Sequence, residues 1–288
     1  MKISPAHSAR PAAAFTMVEI AICLAIIGIA LVGIIGVLPR GMNTQRDVRE
    51  ETILNQDVAT LIPILSRGLR GDDDLTNYIY AITNYWGLYG TNGTLLQTNA
   101  CGYSYASSSP MSLNPPYFSS LIPPFPPILL TNGANIVGLL STPEYVLNDG
   151  LFYPAFPNVG VNAGGFNIIS NHIVAYVHAL SGLASEKPPQ DNSLMVNDAF
   201  TYRMLVVNAP VAMDKNTDYL GFNQQLWKNQ HELRLSFFYP VQPNGSVGPN
   251  QLTFRTTVAG TLLPTFVNNT LPNLYFYQPE SFGLNTNL

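Results

Sequence analysis

The most pronounced hydrophobic pattern is an apolar run near the N-terminus, from Phe15 to Leu38, in which Glu19 and Cys23 are the only ionisable side chains. A helix over this run rises about 36 Å at about 1.5 Å per residue, and the hydrocarbon core of a bilayer is about 30 Å thick. The pattern therefore predicts a transmembrane helix over residues 15–38.

Residues 39–70 continue the helix with an amphipathic pattern. Apolar residues recur at three- and four-residue spacing, at Leu54, Val58, Leu61 and Leu65. Charged residues fall elsewhere on the helix: Asp47, Arg49, Glu50 and Asp57. The stripe predicts packing on another apolar surface. A core helix of an ordinary domain would show the same stripe.

Two residues predict a kink or break where this helix leaves the membrane. Pro39 lacks a backbone donor and Gly41 loosens the helix. Pro63 is a second interruption, inside the amphipathic half. The acidic run Asp72, Asp73 and Asp74 predicts the end of the helix and a cap for a short helical turn over 75–86.

Alternation of apolar and polar residues predicts three strands in the last third of the chain. They cover residues 202–207, 231–239 and 251–258, with a turn at Pro243-Asn244-Gly245 between the last two. This pattern predicts an antiparallel meander with one buried face. A further helix is predicted over 171–183.

Composition changes the picture of the middle of the chain. Only 10% of the residues are charged and 47% are hydrophobic, with 23 prolines and 22 glycines. Between residues 75 and 185 the charged residues are Glu144 and Asp149 alone, and tyrosine, proline and asparagine are abundant. We expect residues 84–166 to form a large loop-rich insert, with an extended proline-rich stretch over 115–127.

Charge and cysteine content argue against nucleic-acid binding and against a disulfide-stabilised fold. The net charge is −4 and the pI about 5.5, so the chain lacks the basic footprint of tight nucleic-acid binding, and no nucleic-acid partner is expected. Cys23 and Cys101 lie in the apolar run and in the remainder of the chain, respectively, and do not form a disulfide framework.

The residues before the apolar run resemble a specific processing signal. Small residues Ala12, Ala13 and Ala14 precede the run, whereas an ordinary secretory signal has its small-residue cleavage site after it. The segment from Ala14 to Glu19, followed by the apolar run, resembles the class III signal of type IV pilins and type II secretion pseudopilins. That family usually has Gly where this chain has Ala14.

The resemblance implies cleavage by a prepilin peptidase between Ala14 and Phe15, and N-methylation of Phe15. Glu19 then becomes the fifth residue, as in the family. The sequence Leu38-Pro39-Arg40-Gly41 resembles pilin-like minor subunits called pilus modification proteins. The implied fold is α+β: a long N-terminal helix packed on an antiparallel sheet.

The chemistry of Glu19 agrees with this resemblance. A carboxylate in a membrane helix costs about 2.5–3.5 kcal/mol and therefore needs a partner. After the cleavage that the resemblance implies, the freed amino group of Phe15 on a neighbouring subunit can be that partner. The alternative is a plain signal anchor, whose Glu19 reaches the membrane interface.

No motif for catalysis is present. The chain has no HExxH, CxxC, GxSxG or phosphate-binding glycine motif, and we expect no enzyme activity and no cofactor. Asp72, Asp73 and Asp74 are weak calcium candidates, and a solvated loop or helix cap is the favoured interpretation of the three acids.

The domains follow from these patterns: a leader over 1–14, a transmembrane helix over 15–38, its amphipathic continuation over 39–70 and an exported domain over 71–288. The leading hypothesis is a minor pseudopilin in the bacterial inner membrane, with a cytoplasmic N-terminus and a periplasmic domain. Its expected partners are the prepilin peptidase and methyltransferase, other pilin-like subunits, the inner-membrane assembly platform and lipid. The alternatives are a single-pass, envelope-anchored binding protein and, less favoured, an exported hydrolase.

Overall fold

The computed structural model describes residues 16–68, 74–103, 105, 128–147, 167–181, 200–211, 226, 228–242, 244–266, 272–279 and 281–282. The predictions about the leader, the cleavage site at Ala14 and Phe15, Asp72, Asp73 and the proline-rich stretch lie outside these residues. The chain divides into two compact units, residues 1–51 and 52–288.

The N-terminal helix, α1, extends without interruption from Met17 to Arg67. The break predicted at Pro39 and Gly41 is absent, and Pro63 also lies within helical backbone. A proline removes one backbone hydrogen bond, which does not by itself end a helix whose other residues keep their bonds. The helix ends at Gly68, whose φ of 58° is the left-handed conformation that glycine adopts readily.

The second unit contains a seven-stranded antiparallel sheet. Its strands are β1 (Ile79–Tyr89), β2 (Leu95–Tyr103), β3 (Tyr145–Leu147), β4 (Ile168–His178), β5 (Thr201–Pro210), β6 (Gln230–Val241) and β7 (Val247–Ala259). The order is β2-β1-β4-β5-β6-β7, and the short β3 pairs with β4. Consecutive strands β5, β6 and β7 are neighbours, which confirms the predicted meander.

Smaller elements complete this unit. Two further strands, β8 (Thr261–Phe266) and β9 (Pro272–Gln278), form a separate hairpin sheet. Helix α2 covers Leu75–Tyr78 and α3 covers Gly133–Leu140. The predicted helical turn over 75–86 is therefore wrong beyond Tyr78, where β1 begins.

The predicted helix over 171–183 is wrong. Most of this segment belongs to β4, in which Ile173, Ala175 and Val177 point into the core at two-residue spacing. Both of its edges are paired, with β1 on one side and with β3 and β5 on the other. β-Branched residues are favoured in a strand that is paired on both edges. Apolar residues are so frequent in this segment that they also fit the spacing of a helical face, and the sequence pattern therefore predicted a helix.

The predicted insert over 84–166 lies only partly within the described residues. The described residues within it include the end of β1, all of β2, α3 and β3. Residues 106–127 and 148–166 lie outside the described part of the chain. The insert therefore supplies the edge strand β2, and the fold class is α+β as predicted.

One core joins the C-terminal part of α1 to the sheet. Leu54, Leu61 and Leu65 of the predicted stripe are fully buried, and they belong to the same apolar cluster as side chains of β1, β4, β5 and β6. Burial of a leucine side chain stabilises a fold by about 1.5–3 kcal/mol. The amphipathic stripe therefore does what its pattern predicts: it attaches the helix to one face of the sheet.

Candidate assembly helix and buried carboxylate

The first half of α1 exposes apolar side chains around its whole circumference. Leu31 is 51% exposed and Val32 is 73% exposed, and no part of the most apolar window is buried. The helix is long and apolar enough to cross a membrane. An exposed apolar surface of this size calls for lipid or other apolar helices around it.

Glu19 lies at the N-terminal end of this helix and forms a capping box with Thr16. Its Oε2 accepts hydrogen bonds from the backbone N–H and the hydroxyl of Thr16, both at 2.9 Å. The backbone N–H of Glu19 donates to Thr16 Oγ1 at 3.3 Å. Sequence reasoning missed this arrangement, although Thr16-Met17-Val18-Glu19 matches the pattern of a Thr followed three residues later by a Glu.

A shallow groove lies along the same helix further toward its C-terminus. It is lined by Ala30, Gly33, Ile34, Val37, Leu38, Gly41, Met42 and Gln45. Apart from the adjacent residues and the nearby backbone of α1 itself, no heavy atom lies within 4 Å of a Cβ placed on Gly33 or Gly41. Small residues allow another helix to approach closely, so this groove can accept an apolar partner helix.

The second half of α1 contains a buried carboxylate that the sequence pattern placed off the apolar stripe. Asp57 is 0% exposed. Its Oδ2 accepts hydrogen bonds from the backbone N–H of Leu180 at 3.0 Å and from the hydroxyl of Tyr202 at 2.9 Å. Its Oδ1 accepts from the backbone N–H and the hydroxyl of Ser181, at 2.9 Å and 2.5 Å.

These four donors come from two parts of the sheet. Leu180 and Ser181 follow the C-terminal end of β4, and Tyr202 lies in β5. Ser181 Oγ also lies 3.2 Å from the carbonyl oxygen of Ile53, one turn earlier in α1. The cluster of Asp57, Leu180, Ser181 and Tyr202, here called the Asp57 clamp, connects the helix to the sheet by polar contacts beside the apolar core cluster.

Burial and hydrogen bonding act in opposite directions on the pKa of Asp57. Loss of water around the carboxylate raises the pKa and is the largest effect, whereas the bonds from Ser181, Leu180 and Tyr202 lower it. The net result is a raised pKa. Burial and the neighbouring Asp57 carboxylate also raise the pKa of Tyr202 well above its usual value, so its hydroxyl stays a donor.

Glu50 is a second acid that the helical pattern placed off the stripe and that is buried in the structure. Its Oε1 lies 2.8 Å from Nε of Arg46, one turn earlier. A pair at this spacing stabilises a helix by about 0.3–0.5 kcal/mol when it is exposed. Glu50 therefore has a local structural role.

Of the acidic run, only Asp74 lies among the described residues. Asp74 precedes α2, and its side chain forms no capping hydrogen bond there. No group of three or more His, Cys, Asp or Glu that could hold a metal ion occurs among the described residues. The prediction that these acids cap the following helix is therefore wrong for Asp74.

The described histidines do not assemble into a site. His172 is exposed on β4, and His178 lies 3.3 Å from the Thr201 hydroxyl. His231 is buried on β6 with its ring 5.4 Å from that of Tyr277, and burial lowers its pKa to about 4. His231 is therefore a neutral core residue at pH 7.

Comparison with known proteins identified no matching family model, no matching curated protein and no matching solved structure. The functional assignment therefore rests on the residues of this chain.

Proposed function

We propose that this protein is a minor pilin-like subunit, a pseudopilin, of a type II secretion or type IV pilus-like filament. Prepilin peptidase cleaves the chain after Ala14, and Phe15 is N-methylated. The observation that carries the proposal is the exposed apolar half of α1 with a single acid, Glu19, at its N-terminal end. The same helix continues without a break into the core of an antiparallel-sheet domain.

The position of Glu19 supports a role in subunit pairing. Cleavage before Phe15 creates an amino group one residue before Thr16, whose N–H and hydroxyl already hold the Glu19 carboxylate at the start of the helix. A cation at that place offsets the cost of a carboxylate in an apolar environment. When the amino group belongs to a neighbouring subunit, the pairing sets the axial register of the two helices, because a mispaired subunit leaves a charge buried.

The groove along α1 supports close packing of helices. Gly33 and Gly41 leave open space on a helix surface that is otherwise covered by large side chains. In a membrane the groove is filled by lipid chains, and in a filament by the apolar side chains of a neighbouring helix. The apolar surface of the helix is therefore covered both in the membrane and in the filament. The helix can leave the bilayer for the filament without exposing this surface to water.

The proposal implies a place in the cell and a set of partners. The basic leader residues Lys2 and Arg10 favour a cytoplasmic N-terminus, which puts the sheet domain in the periplasm. The partners are the prepilin peptidase and methyltransferase, other pilin-like subunits and the inner-membrane assembly platform. The chain is not an enzyme in this proposal.

Analysis of the N-terminus tests the proposal. The full chain is expressed in bacterial membranes with and without a prepilin peptidase, extracted in detergent, and analysed by intact mass and N-terminal peptide mapping. We expect the N-terminus to be at Phe15, with an added methyl group, only when the peptidase is present. An intact leader under both conditions would refute the processing step.

The capping box favours one alternative function, an envelope-anchored binding protein that does not assemble. Thr16 gives Glu19 a local role at the start of the helix, and a plain anchor can use such a cap. An anchor tolerates Gln at position 19, because the amide oxygen still accepts from Thr16. A filament subunit loses its charged partner when Glu19 is replaced by Gln.

A further inference from the structure

The face of the sheet opposite to α1 carries residues that the proposed assembly role does not use. On each strand, the neighbours of the core residues point to this opposite face. Strand pairing aligns Thr83, Val174, Leu205, Ser236 and Thr253 in one row from β1 to β7. We call the side chains on this side of β1, β4, β5, β6 and β7 the outer face.

Two arginines lie directly opposite each other on the outer face. Arg234 of β6 is paired in register with Arg255 of β7. Like charges at directly opposite positions of an antiparallel pair are about 4.5–5.5 Å apart at Cβ and destabilise the sheet. One acid, Glu232, binds Arg234, with its Oε1 2.9 Å from Nη2 of that arginine. The two arginines therefore have an excess positive charge, and Arg255 is exposed.

A third arginine on this face stacks on an aromatic ring. Arg203 of β5 is paired in register with Phe238 of β6, and its guanidinium carbon lies 4.9 Å from the centre of that ring. A guanidinium stacked in this way keeps its N–H groups at its edge available to an acceptor. Arg203 is also paired in register with Tyr176 of β4.

The other end of the outer face is aromatic, with exposed tyrosine rings, whereas the smaller Thr83 and Val174 near them are buried. The ring of Tyr80 lies 5.9 Å from that of Tyr176 and 4.6 Å from that of His178. Tyr85 is paired in register with His172. Tyr80 is 37% exposed and Tyr85 is 46% exposed. Within β1 and β4–β7, Glu232 is the only acid on this face.

We propose that the outer face binds single-stranded nucleic acid. The tyrosine rings stack on bases, and Arg203, Arg234 and Arg255 bind phosphates. Stacking rings beside a cationic track are the combination that accepts single strands without base-specific contacts. A duplex hides the faces of its bases and cannot use the rings, so the rings favour a single strand over both duplex DNA and polyanions that have no bases.

The width of the outer face and the net charge of the chain are both compatible with binding of a single strand of nucleic acid. Four strand spacings of about 4.8 Å separate β1 from β7, so the face is about 19 Å wide and suits a short stretch of a strand. The net negative charge of the chain does not oppose binding of nucleic acid to the outer face. Charges that lie more than a Debye length away, about 10 Å at 0.1 M salt, are largely screened. The inference does not depend on filament assembly, since it uses the sheet alone.

The test uses the full chain in a non-ionic detergent and the fluorescence anisotropy of a labelled oligothymidylate of about 15 nucleotides, at about 0.1 M salt and above. We expect saturable binding, with Tyr85→Ala weakening it by about fivefold or more. Arg255→Gln is expected to weaken binding and to reduce the slope of log affinity against log salt by about 0.7. Both residues are exposed, and thermal melting of the variants checks that they fold.

Two matched variants control for the loss of a positive charge or of an aromatic ring elsewhere in the chain. Arg67→Gln removes one exposed positive charge from the end of α1, and Phe282→Ala removes an aromatic side chain that is 59% exposed outside these strands. Neither substitution is expected to change the affinity for the oligothymidylate. Absence of binding would overturn the proposal. It would also be overturned if polyphosphate of equal charge, or a duplex of equal length, bound as tightly as the single strand.

Discussion

The side chain of Asp57 shows how one polar residue is retained in an apolar core. A buried carboxylate is costly unless donors surround it, and four donors from Leu180, Ser181 and Tyr202 do so here. Apolar contacts alone leave a helix free to slide or rotate on a sheet, whereas these hydrogen bonds are satisfied in one position. Asp57 therefore specifies where α1 attaches.

Replacement of Asp57 tests this role. Asp57→Asn places an amide N–H₂ group against donors that need an acceptor, and we expect the free energy of unfolding to fall by about 1–3 kcal/mol. Tyr202→Phe removes one donor and is expected to cost about 1 kcal/mol. Urea unfolding of the detergent-solubilised chain measures both. A double variant that loses the sum of the two single losses would show that the two side chains are not coupled.

The pH dependence of stability tests the direction of the Asp57 pKa. A carboxyl group whose folded pKa is raised contributes more stability at low pH, and this contribution falls as the pH rises from about 3.8, the unfolded value, through the folded pKa. The difference in unfolding free energy between the native protein and Asp57→Asn is therefore expected to widen as the pH is lowered from 7 toward 4. A difference that narrows would mean that the hydrogen bonds outweigh desolvation.

At the scale of elements, α1 combines two environments in one helix. Its first half exposes apolar residues on all sides, and its second half buries one stripe against the sheet. Both halves have the same helical backbone conformation, so the side chains alone distinguish an exposed apolar surface, long enough to cross a membrane, from a surface packed in a core.

Two matched leucine substitutions test this division. Leu61→Ala empties space in the core and is expected to lower the free energy of unfolding by about 2–5 kcal/mol. Leu31→Ala, in the exposed half, is expected to leave the unfolding of the sheet domain unchanged. Chemical denaturation in detergent, followed by tryptophan fluorescence, measures the two. Equal losses would show that the first half of α1 is also part of a folded core.

The end of α1 depends on Gly68. Its φ is 58°, and an added Cβ would lie 2.2 Å from the carbonyl oxygen of Tyr277 in β9. We expect Gly68→Ala to destabilise the domain by more than about 2 kcal/mol, from the left-handed backbone and the clash together. Gly245→Ala is the control, because Gly245 has a φ of 80° and open space around it. Thermal melts that show equal losses for the two variants would contradict the close approach to β9.

At the scale of the whole molecule, assembly and folding are expected to be separable. In the proposed assembly, Glu19→Gln removes the charge that pairs subunits, and position 19 is far in sequence from the sheet domain. We expect cross-linked multimers and sheared filaments to fall at least tenfold, while the thermal melt of the domain is unchanged, because a change of tenfold needs a coupling of only about 1.4 kcal/mol. Glu51→Gln, on the same helix, is the control for loss of an acid. Assembly that persists in Glu19→Gln would favour the plain-anchor alternative.

Sequence patterns predicted the elements whose residues repeat clearly. The buried stripe of α1 and the strands β5, β6 and β7 were predicted because their apolar positions recur at helical or alternating spacing. Strand β4 was mistaken for a helix, because its apolar residues are so dense that either spacing fits. Strands β1 and β2 were missed, since an uncharged segment rich in tyrosine and asparagine gives little alternation.

Local chemistry was predictable at some sites and not at others. Thr16 and Glu19 are three residues apart, so their capping box was present in the sequence and was overlooked. The donors to Asp57 are more than 120 residues away from it, and no local pattern relates them. The net charge of the whole chain likewise gave no sign that Arg203, Arg234 and Arg255 lie on one face of the sheet.

The sequence by itself determined the apolar span, the position of Glu19 at its start, the amphipathic continuation of the helix and the meander, because each depends on spacing between near neighbours. Only the tertiary structure decided the burial of Asp57, the strand nature of residues 168–178 and the pairing of Arg234 with Arg255. These features depend on which distant segments become neighbours, and that choice is made by the packing of the whole sheet and helix.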